Sequence, residues 1–151
     1  MIQTGSQQMV SSKDQKKKNK MEMLWMKDLN LKIVQIEEDG NCLFRALSHQ
    51  LYGSQDFYDV IRTKCCEYIE HEKQFFGGFI GDLNGTVTFM DYLRNMTKDG
   101  TWGGNLELMA LAEIYQKTIE IYRSNLQPDF VFGGEYSNAQ NEEPIRLHYR
   151  K

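Results

Sequence analysis

Cys42 stands at the junction between a turn and a predicted helix, in the stretch EEDGNCLFRALSHQL at residues 37–51. The N–H groups in the first turn of a helix lack partners within the helix and carry partial positive charge. Both features favour the thiolate, which is the nucleophilic form of cysteine, and the same N–H groups can stabilise the oxyanion of a tetrahedral intermediate. Gly40 tolerates positive φ and lets a substrate approach the backbone closely. The pattern therefore predicts acyl-transfer chemistry at Cys42.

A structural role for Cys42 is the alternative, in which Asn41 or Asp39 caps the helix and the cysteine is buried. The residue types of the turn leave both interpretations open. Helical spacing places Cys42 on the face of Ala46 and His49, away from the leucines that mark the core-facing side. This placement favours a functional cysteine.

A strand before the turn and a helix after it are expected to position Cys42. The apolar, β-branched run LKIVQI at residues 31–36 predicts a buried strand. The helix that starts at Cys42 continues to about Leu51, and Gly53 is a typical residue for ending it. The expected core-facing stripe of this helix comprises Leu43, Phe44, Leu47 and Leu51.

Three more helices and three strands are predicted downstream. The helices cover residues 56–76, residues 86–96 and a segment N-capped by Asn105. Their expected inward-facing residues are, in chain order, Phe57, Ile61, Cys65 and Ile69; Phe89, Leu93 and Met96; and Leu108, Leu111, Ala112 and Tyr115. Alternation with a period of two predicts strands in the segments TIEIYR, DFVFGG and PIRLHYR. This order favours an α+β domain in which residues 31–36 join a sheet completed by the C-terminal strands.

The composition is that of one globular domain in a reducing compartment. The chain has 151 residues, 40% of them hydrophobic, and a net charge of −3, which argues against nucleic acid as the main partner. Three cysteines with two adjacent members make a poor disulfide framework, and the lack of a CxxC pair argues against a metal site. No membrane-spanning run or secretory signal is evident, so the cytoplasm is expected, with the nucleus as alternative. Residues 1–20 are expected to form a flexible lysine-rich tail, and residues 21–151 the domain.

Two blocks of the sequence carry a resemblance to a known family. EDGNCLFRALSHQLYG resembles the cysteine motif of ovarian-tumour-domain (OTU) deubiquitinases, Asp-Gly-x-Cys-Leu-Phe-Arg-Ala, and DGTWGGNLELMALAEIY resembles the Trp-Gly-Gly-x-x-Glu-x-x-Ala region of that family. The resemblance covers roughly residues 30–151. It implies a papain-like α+β fold with a small mixed sheet sandwiched between helices, and a monomeric thiol protease without cofactor or metal. It further implies hydrolysis of the isopeptide bond after the C-terminal glycine of ubiquitin, with ubiquitin or ubiquitinated proteins as partners; a non-catalytic ubiquitin-binding module of the same fold is the alternative.

The resemblance also assigns roles to individual residues. Cys42 is the nucleophile, and Asp39 belongs to the catalytic loop that shapes the oxyanion hole. The residues expected to contact substrate are Gly40 and Asn41 in this loop, and Trp102, Gly103 and Gly104 along the channel for the Gly-Gly tail of ubiquitin. An ordinary loop is the alternative for the two glycines of that channel.

The general base that a cysteine protease requires is not evident from the residues. His49 follows Cys42 by two helical turns, about 10.5 Å along the axis, which is too far for a hydrogen bond. His71 lies at the end of a predicted helix and has no catalytic reason to be there. His148 precedes a tyrosine, as in the His-Tyr-Asn motif of the family, but Arg150 then stands where asparagine belongs. We therefore expect the catalytic histidine in a segment after Lys151, with His148 as the alternative.

Overall fold

A computed structural model of the chain describes residues 16–17, 20–21, 24, 26–28, 30–81, 85, 87–123, 126–138 and 143–149. From Cys42 onward its helices are α1 (Cys42–Tyr52), α2 (Tyr58–His71), α3 (Lys73–Phe76), α4 (Phe89–Met96) and α5 (Asn105–Tyr115), and its strands are β1 (Ile119–Tyr122), β2 (Phe130–Phe132) and β3 (Ile145–His148). Short 3-10 turns cover Gln55–Phe57, Gly77–Phe79 and Gly134–Asn138. The expected tail lies outside the described residues apart from 16, 17 and 20, which are helical, and stays a prediction.

The three strands form a mixed sheet in the order β2-β1-β3. β1 pairs antiparallel with β2 and parallel with β3, with Ile119 opposite Ile145. The side chain of Gln50 in α1 donates to the Arg146 carbonyl (2.8 Å) and accepts from the Arg146 N–H (2.9 Å). Because β3 is an edge strand of this sheet, Gln50 supplies the pairing that a fourth strand would give. This contact fixes α1, and with it Cys42, relative to the sheet.

The prediction that residues 31–36 form a buried strand in this sheet is wrong. The segment has no strand pairing, and Val34 is 40% exposed. Leu31 and Ile33 instead pack on Met26 and Tyr122 in a small cluster apart from the main core. The Gln55 side chain donates to the Gln35 carbonyl (3.0 Å) and accepts from the N–H of Glu37 (3.2 Å). A single side chain therefore holds the backbone of residues 35–37, which lead into the cysteine turn.

The main core lies between the helices and one face of the sheet. The expected apolar stripes form most of it, with Phe44, Leu47, Ile61, Cys65, Ile69, Leu111 and Ile119 fully buried. Phe57 was expected in this core but is 48% exposed, because it belongs to a 3-10 turn and helical spacing does not extend to it. The predicted helix over 56–76 is likewise divided, since α2 ends at His71.

The ends of two helices test the expected capping residues. Gly53 ends α1 in the left-handed conformation with φ 77°, as predicted. Asn105 is the first residue of α5 and its N-cap is Gly104, so the prediction of an Asn105 cap is wrong. Within the described part of the chain, no helix is both long and apolar enough to cross a bilayer.

Candidate active site

The turn before Cys42 is held by a charged clamp centred on Asp39. Asp39 Oδ2 accepts from Arg45 Nε (2.9 Å) and from a terminal nitrogen of the same guanidinium (2.7 Å). Its other oxygen accepts the Asn41 N–H at 3.0 Å. The guanidinium of Arg45 also lies over the ring of Tyr58, 3.9 Å from its centroid. The hydrogen bonds from Arg45 and then from Asn41 lower the pKa of the Asp39 carboxyl far below its ordinary value, so it is ionised.

Asn41 connects this turn to the rest of the molecule from a buried position, with its side chain 1% exposed. Its side-chain oxygen accepts from the Arg62 guanidinium (2.6 Å) and from the Gly100 N–H (2.8 Å). Its side-chain nitrogen donates to Asp39 Oδ2 at 3.0 Å. Both polar atoms of the side chain are therefore engaged within the protein. The expected contact of Asn41 with substrate stays a prediction.

The first turn of α1 has no side-chain cap. Asn41 is the N-cap residue but makes no capping hydrogen bond, and Asp39 accepts from the N–H of Asn41 rather than from the helix. The expected cap by Asn41 or Asp39 is therefore wrong, whereas the choice between a structural and a functional Cys42 stays a prediction. No side-chain cap occupies the leading N–H groups of α1, which is a condition that an oxyanion site requires.

Cys42 is half-buried at the start of α1, and opposing effects act on the pKa of its thiol. Burial raises the pKa of the Cys42 thiol, and the negative charges of Asp39 and Glu38 add to that increase. The N–H groups of Leu43 and Cys42 act in the opposite direction, as expected for a helix start, but burial outweighs them. The helix start thus favours the thiolate as expected, but burial has the larger effect and the net pKa of Cys42 is raised.

The loop of residues 98–104, called the WGG loop here, lies against the cysteine turn. A Cβ built on Gly40, whose φ is 82°, would overlap the carbonyl of Gly100. A Cβ on Gly103 would come within 2.6 Å of Leu43 Cδ2 in the first turn of α1. The first approach requires glycine because the neighbour is backbone, whereas a side chain at position 103 would require the Leu43 side chain to shift. The structure thus brings both predicted segments together, although the roles of their residues in substrate binding stay predictions.

Trp102 and Gly104 show how the WGG loop is held and what it exposes. Trp102 is 57% exposed beside the turn. The Gly104 N–H donates to Glu107 Oε2 at 2.6 Å, and Tyr92 donates its hydroxyl to the other oxygen of this buried carboxyl. Sequence reasoning assigned no role to Glu107, although its place three residues into α5 is the usual one for a side chain that binds the N-cap N–H.

The three histidines are distributed over the molecule. His71 pairs with Glu72 at the end of α2, 2.8 Å apart. His148 Nε2 lies 3.1 Å from the carbonyl oxygen of Arg123. Among the residues that the structure describes, no hydrogen bond joins a histidine to Cys42. The position of the general base stays a prediction. The same residues include no cluster of three or more histidine, cysteine or acidic side chains that could hold a metal ion.

A cysteine at the start of a helix, in an α+β domain with a small mixed sheet, is typical of the class of papain-like cysteine hydrolases. The profile of the family described as OTU-like cysteine protease matches residues 37–151. The chain therefore belongs to the OTU-like cysteine protease family.

Curated relatives agree with this membership. The chain is 43% identical over 112 residues to the "OVARIAN TUMOR DOMAIN-containing deubiquitinating enzyme 6" of Arabidopsis thaliana, covering 74% of this chain and 21% of that protein. It is 35% identical over 119 residues to "OTU domain-containing protein 5-A" of Danio rerio, covering 79% of this chain and 20% of that protein. The chain thus spans about a fifth of the length of these relatives.

Solved structures agree on the fold. The OTU domain of OTUD1 superposes with a TM-score of 0.63 at 26% identity, over 76% of this chain and 73% of that one. An OTU deubiquitinase from Wolbachia pipientis wMel has a TM-score of 0.54 at 20% identity, over 78% of this chain and 79% of that one. The expected α+β class with an OTU fold is confirmed.

Proposed function

We propose that this chain is a thiol-dependent deubiquitinase that hydrolyses the isopeptide bond after the C-terminal glycine of ubiquitin. The observation that carries the proposal is the half-buried Cys42 at the uncapped start of α1, with the WGG loop packed against it, in a chain of a deubiquitinase-containing family. The exposed Trp102 in this loop gives an extended peptide tail an apolar surface to contact.

The chemistry follows from these parts. Cys42 Sγ attacks the carbonyl carbon of the terminal glycine of ubiquitin, and the thiol proton passes to a general base. The carbonyl oxygen becomes an oxyanion beside the N–H groups at the start of α1. Collapse of this intermediate breaks the C–N bond, the lysine amine leaves with the proton from the base, and a thioester remains. Water then attacks the thioester and releases the ubiquitin carboxylate and the Cys42 thiol.

The general base completes the proposed mechanism. The raised pKa of Cys42 makes a base necessary, because few thiolates exist near neutral pH without one. We expect a histidine from a segment that follows β3. His148, on β3 itself, is the alternative, although its Nε2 lies against the Arg123 carbonyl.

A non-catalytic ubiquitin-binding module is the second candidate function. It is favoured by the exposed Trp102 in the WGG loop, because an apolar contact with ubiquitin needs no thiolate. It predicts affinity for ubiquitin that does not depend on the thiol.

Turnover of a ubiquitin carrying a fluorogenic C-terminal amide distinguishes the candidates. Wild type, Cys42→Ala and Cys66→Ala are compared at equal concentration, with ubiquitin affinity measured in parallel. Cys66 is the matched control, because it is a buried cysteine of the α2 core. Release of fluorophore by wild type and Cys66→Ala but not by Cys42→Ala supports the enzyme. Binding of ubiquitin by all three without release supports the module and contradicts the proposed hydrolysis.

A further inference from the structure

Arg62 is a buried cation on α2. It lies between core residues and is 4% exposed. Its guanidinium lies over the ring of Phe44, with the central carbon 4.2 Å from the ring centroid. No carboxylate among the described residues forms a salt bridge with it. A buried charge without an ionic partner costs stability. The neutral groups that bind Arg62 therefore indicate its structural role.

Those neutral groups belong to three separate segments. One terminal nitrogen of Arg62 donates to the Met96 carbonyl at the end of α4 (2.9 Å). The other donates to the Thr101 carbonyl in the WGG loop (2.8 Å) and to the side-chain oxygen of Asn41 (2.6 Å). The planar fork of the guanidinium allows these bonds to form together, which a lysine ammonium cannot reproduce with the same geometry.

Asn41 makes this connection relevant to the nucleophile, because it is the residue directly before Cys42. Its side-chain oxygen accepts from Arg62 and from the Gly100 N–H of the WGG loop. The backbone of the turn and the backbone of the loop are therefore tied to the same guanidinium. A shift of Arg62 moves both sides of the site where the oxyanion would be held.

We propose that Arg62 is a positioning residue for the cysteine site, fixing the turn of residues 39–41 and the WGG loop at the separation that the reaction requires. This inference rests on the proposed function for its catalytic consequence. Its structural part, the coupling of Arg62 to Asn41 and Gly100, does not.

The test compares Arg62→Lys with wild type, using Arg94→Lys as the matched control. Arg94 is an exposed arginine on the neighbouring helix α4, where it pairs with Asp91. The readout is hemithioacetal formation with ubiquitin aldehyde, in which Sγ adds to the aldehyde carbon and the oxygen takes the thiol proton. We expect Arg62→Lys to slow or weaken this step by about tenfold to a hundredfold, the range expected for a small misplacement of reacting groups. Arg94→Lys should react like wild type.

Two further measurements separate positioning from general damage. Alkylation of Cys42 by iodoacetamide should not slow in Arg62→Lys, since it needs no oxyanion site. Ubiquitin affinity, measured on a Cys42→Ala background, should fall by much less than the aldehyde reactivity, because the buried Arg62 acts on bound ubiquitin only through the WGG loop. Equal aldehyde reactivity of Arg62→Lys and wild type would overturn the proposal, as would a parallel loss of aldehyde reactivity, ubiquitin affinity and alkylation.

A measurement without ubiquitin keeps the inference distinct from the proposed function. Hydrogen exchange at the Gly100 N–H should accelerate in Arg62→Lys but not in Arg94→Lys. Unchanged exchange in Arg62→Lys would contradict the coupling between Arg62 and Gly100, even if wild type fails to react with ubiquitin. If Arg62→Lys does not fold, Asn41→Ala takes its place, since it removes the shared acceptor and leaves the other two bonds of Arg62. It is expected to show the same slowed aldehyde reaction, and wild-type behaviour of a folded Asn41→Ala would refute the proposal.

Discussion

Replacing Gly40 with alanine should damage both the fold and the site, and a second glycine separates the two causes of that damage. Gly40 has φ 82°, and a Cβ there would lie 2.7 Å from the Gly100 carbonyl carbon and overlap its oxygen. Gly53, at the end of α1, has nearly the same φ of 77° but open space around a built Cβ. Gly53→Ala therefore reports backbone strain alone.

The expected magnitudes follow from this comparison. A left-handed conformation costs an L-residue about 1 to 2 kcal/mol, which is the whole effect expected for Gly53→Ala. Overlap with a packed backbone adds about 1 to 3 kcal/mol for Gly40→Ala, unless the WGG loop moves away. Because Gly100 also binds Asn41, that movement pulls on the cysteine turn.

Urea unfolding and the labelling rate with a ubiquitin C-terminal electrophile measure the two consequences. Gly53→Ala should lose modest stability and keep the wild-type labelling rate at 25 °C. Gly40→Ala should lose more stability and label at least about tenfold more slowly, as expected when reacting groups are displaced. Equal stability and equal labelling of the two variants would refute the argument that contact between Gly40 and Gly100 shapes the site.

Two pH-dependent predictions concern the charges around Cys42. The pKa of Asp39 is lower in the folded chain than in the unfolded chain, so its contribution is present above about pH 4 and is lost as pH falls further toward the folded value. Asp39→Asn should therefore reduce the unfolding free energy by about 1 to 2 kcal/mol at pH 7, since the Asp39–Arg45 pair is partly exposed. The difference from wild type should shrink in acid. A difference that does not change with pH would contradict a role for the Asp39 charge. The pKa of Cys42 is raised, so its alkylation by iodoacetamide should keep increasing above pH 8.5, the ordinary midpoint for cysteine. Glu38→Gln removes one cause and should move the midpoint down, whereas an upward shift would show that Glu38 acts in another way.

Local patterns in the sequence were sufficient for the helices near the site. The spacing of apolar residues and the glycine at position 53 locate α1 and its core face, because both depend only on helical periodicity. The run at residues 31–36 carries the same kind of local signal for a strand. Its strand partner would have to come from elsewhere in the chain, and the structure places the side chain of Gln55 against this backbone instead.

The electrostatics of the site depended on contacts between distant segments. The helix start at Cys42 is a local feature, whereas the burial that raises the pKa of its thiol comes from packing against the rest of the domain. Arg62 and Glu107 are charged residues in helical segments, which sequence patterns associate with solvent. Only the folded arrangement shows that Arg62 binds the turn and the WGG loop, and that Glu107 binds the loop end at Gly104.

Peptide mapping of the adduct with a ubiquitin C-terminal electrophile tests most directly the claim that Cys42 is the nucleophile of a ubiquitin-directed site. Ubiquitin should be attached at Cys42 in the folded chain, and Cys42→Ala should abolish the adduct. The buried Cys65 and Cys66, whose pKa values burial raises, should remain unmodified. An adduct on Cys65 or Cys66, or a folded wild-type chain that forms none at Cys42, would contradict the account.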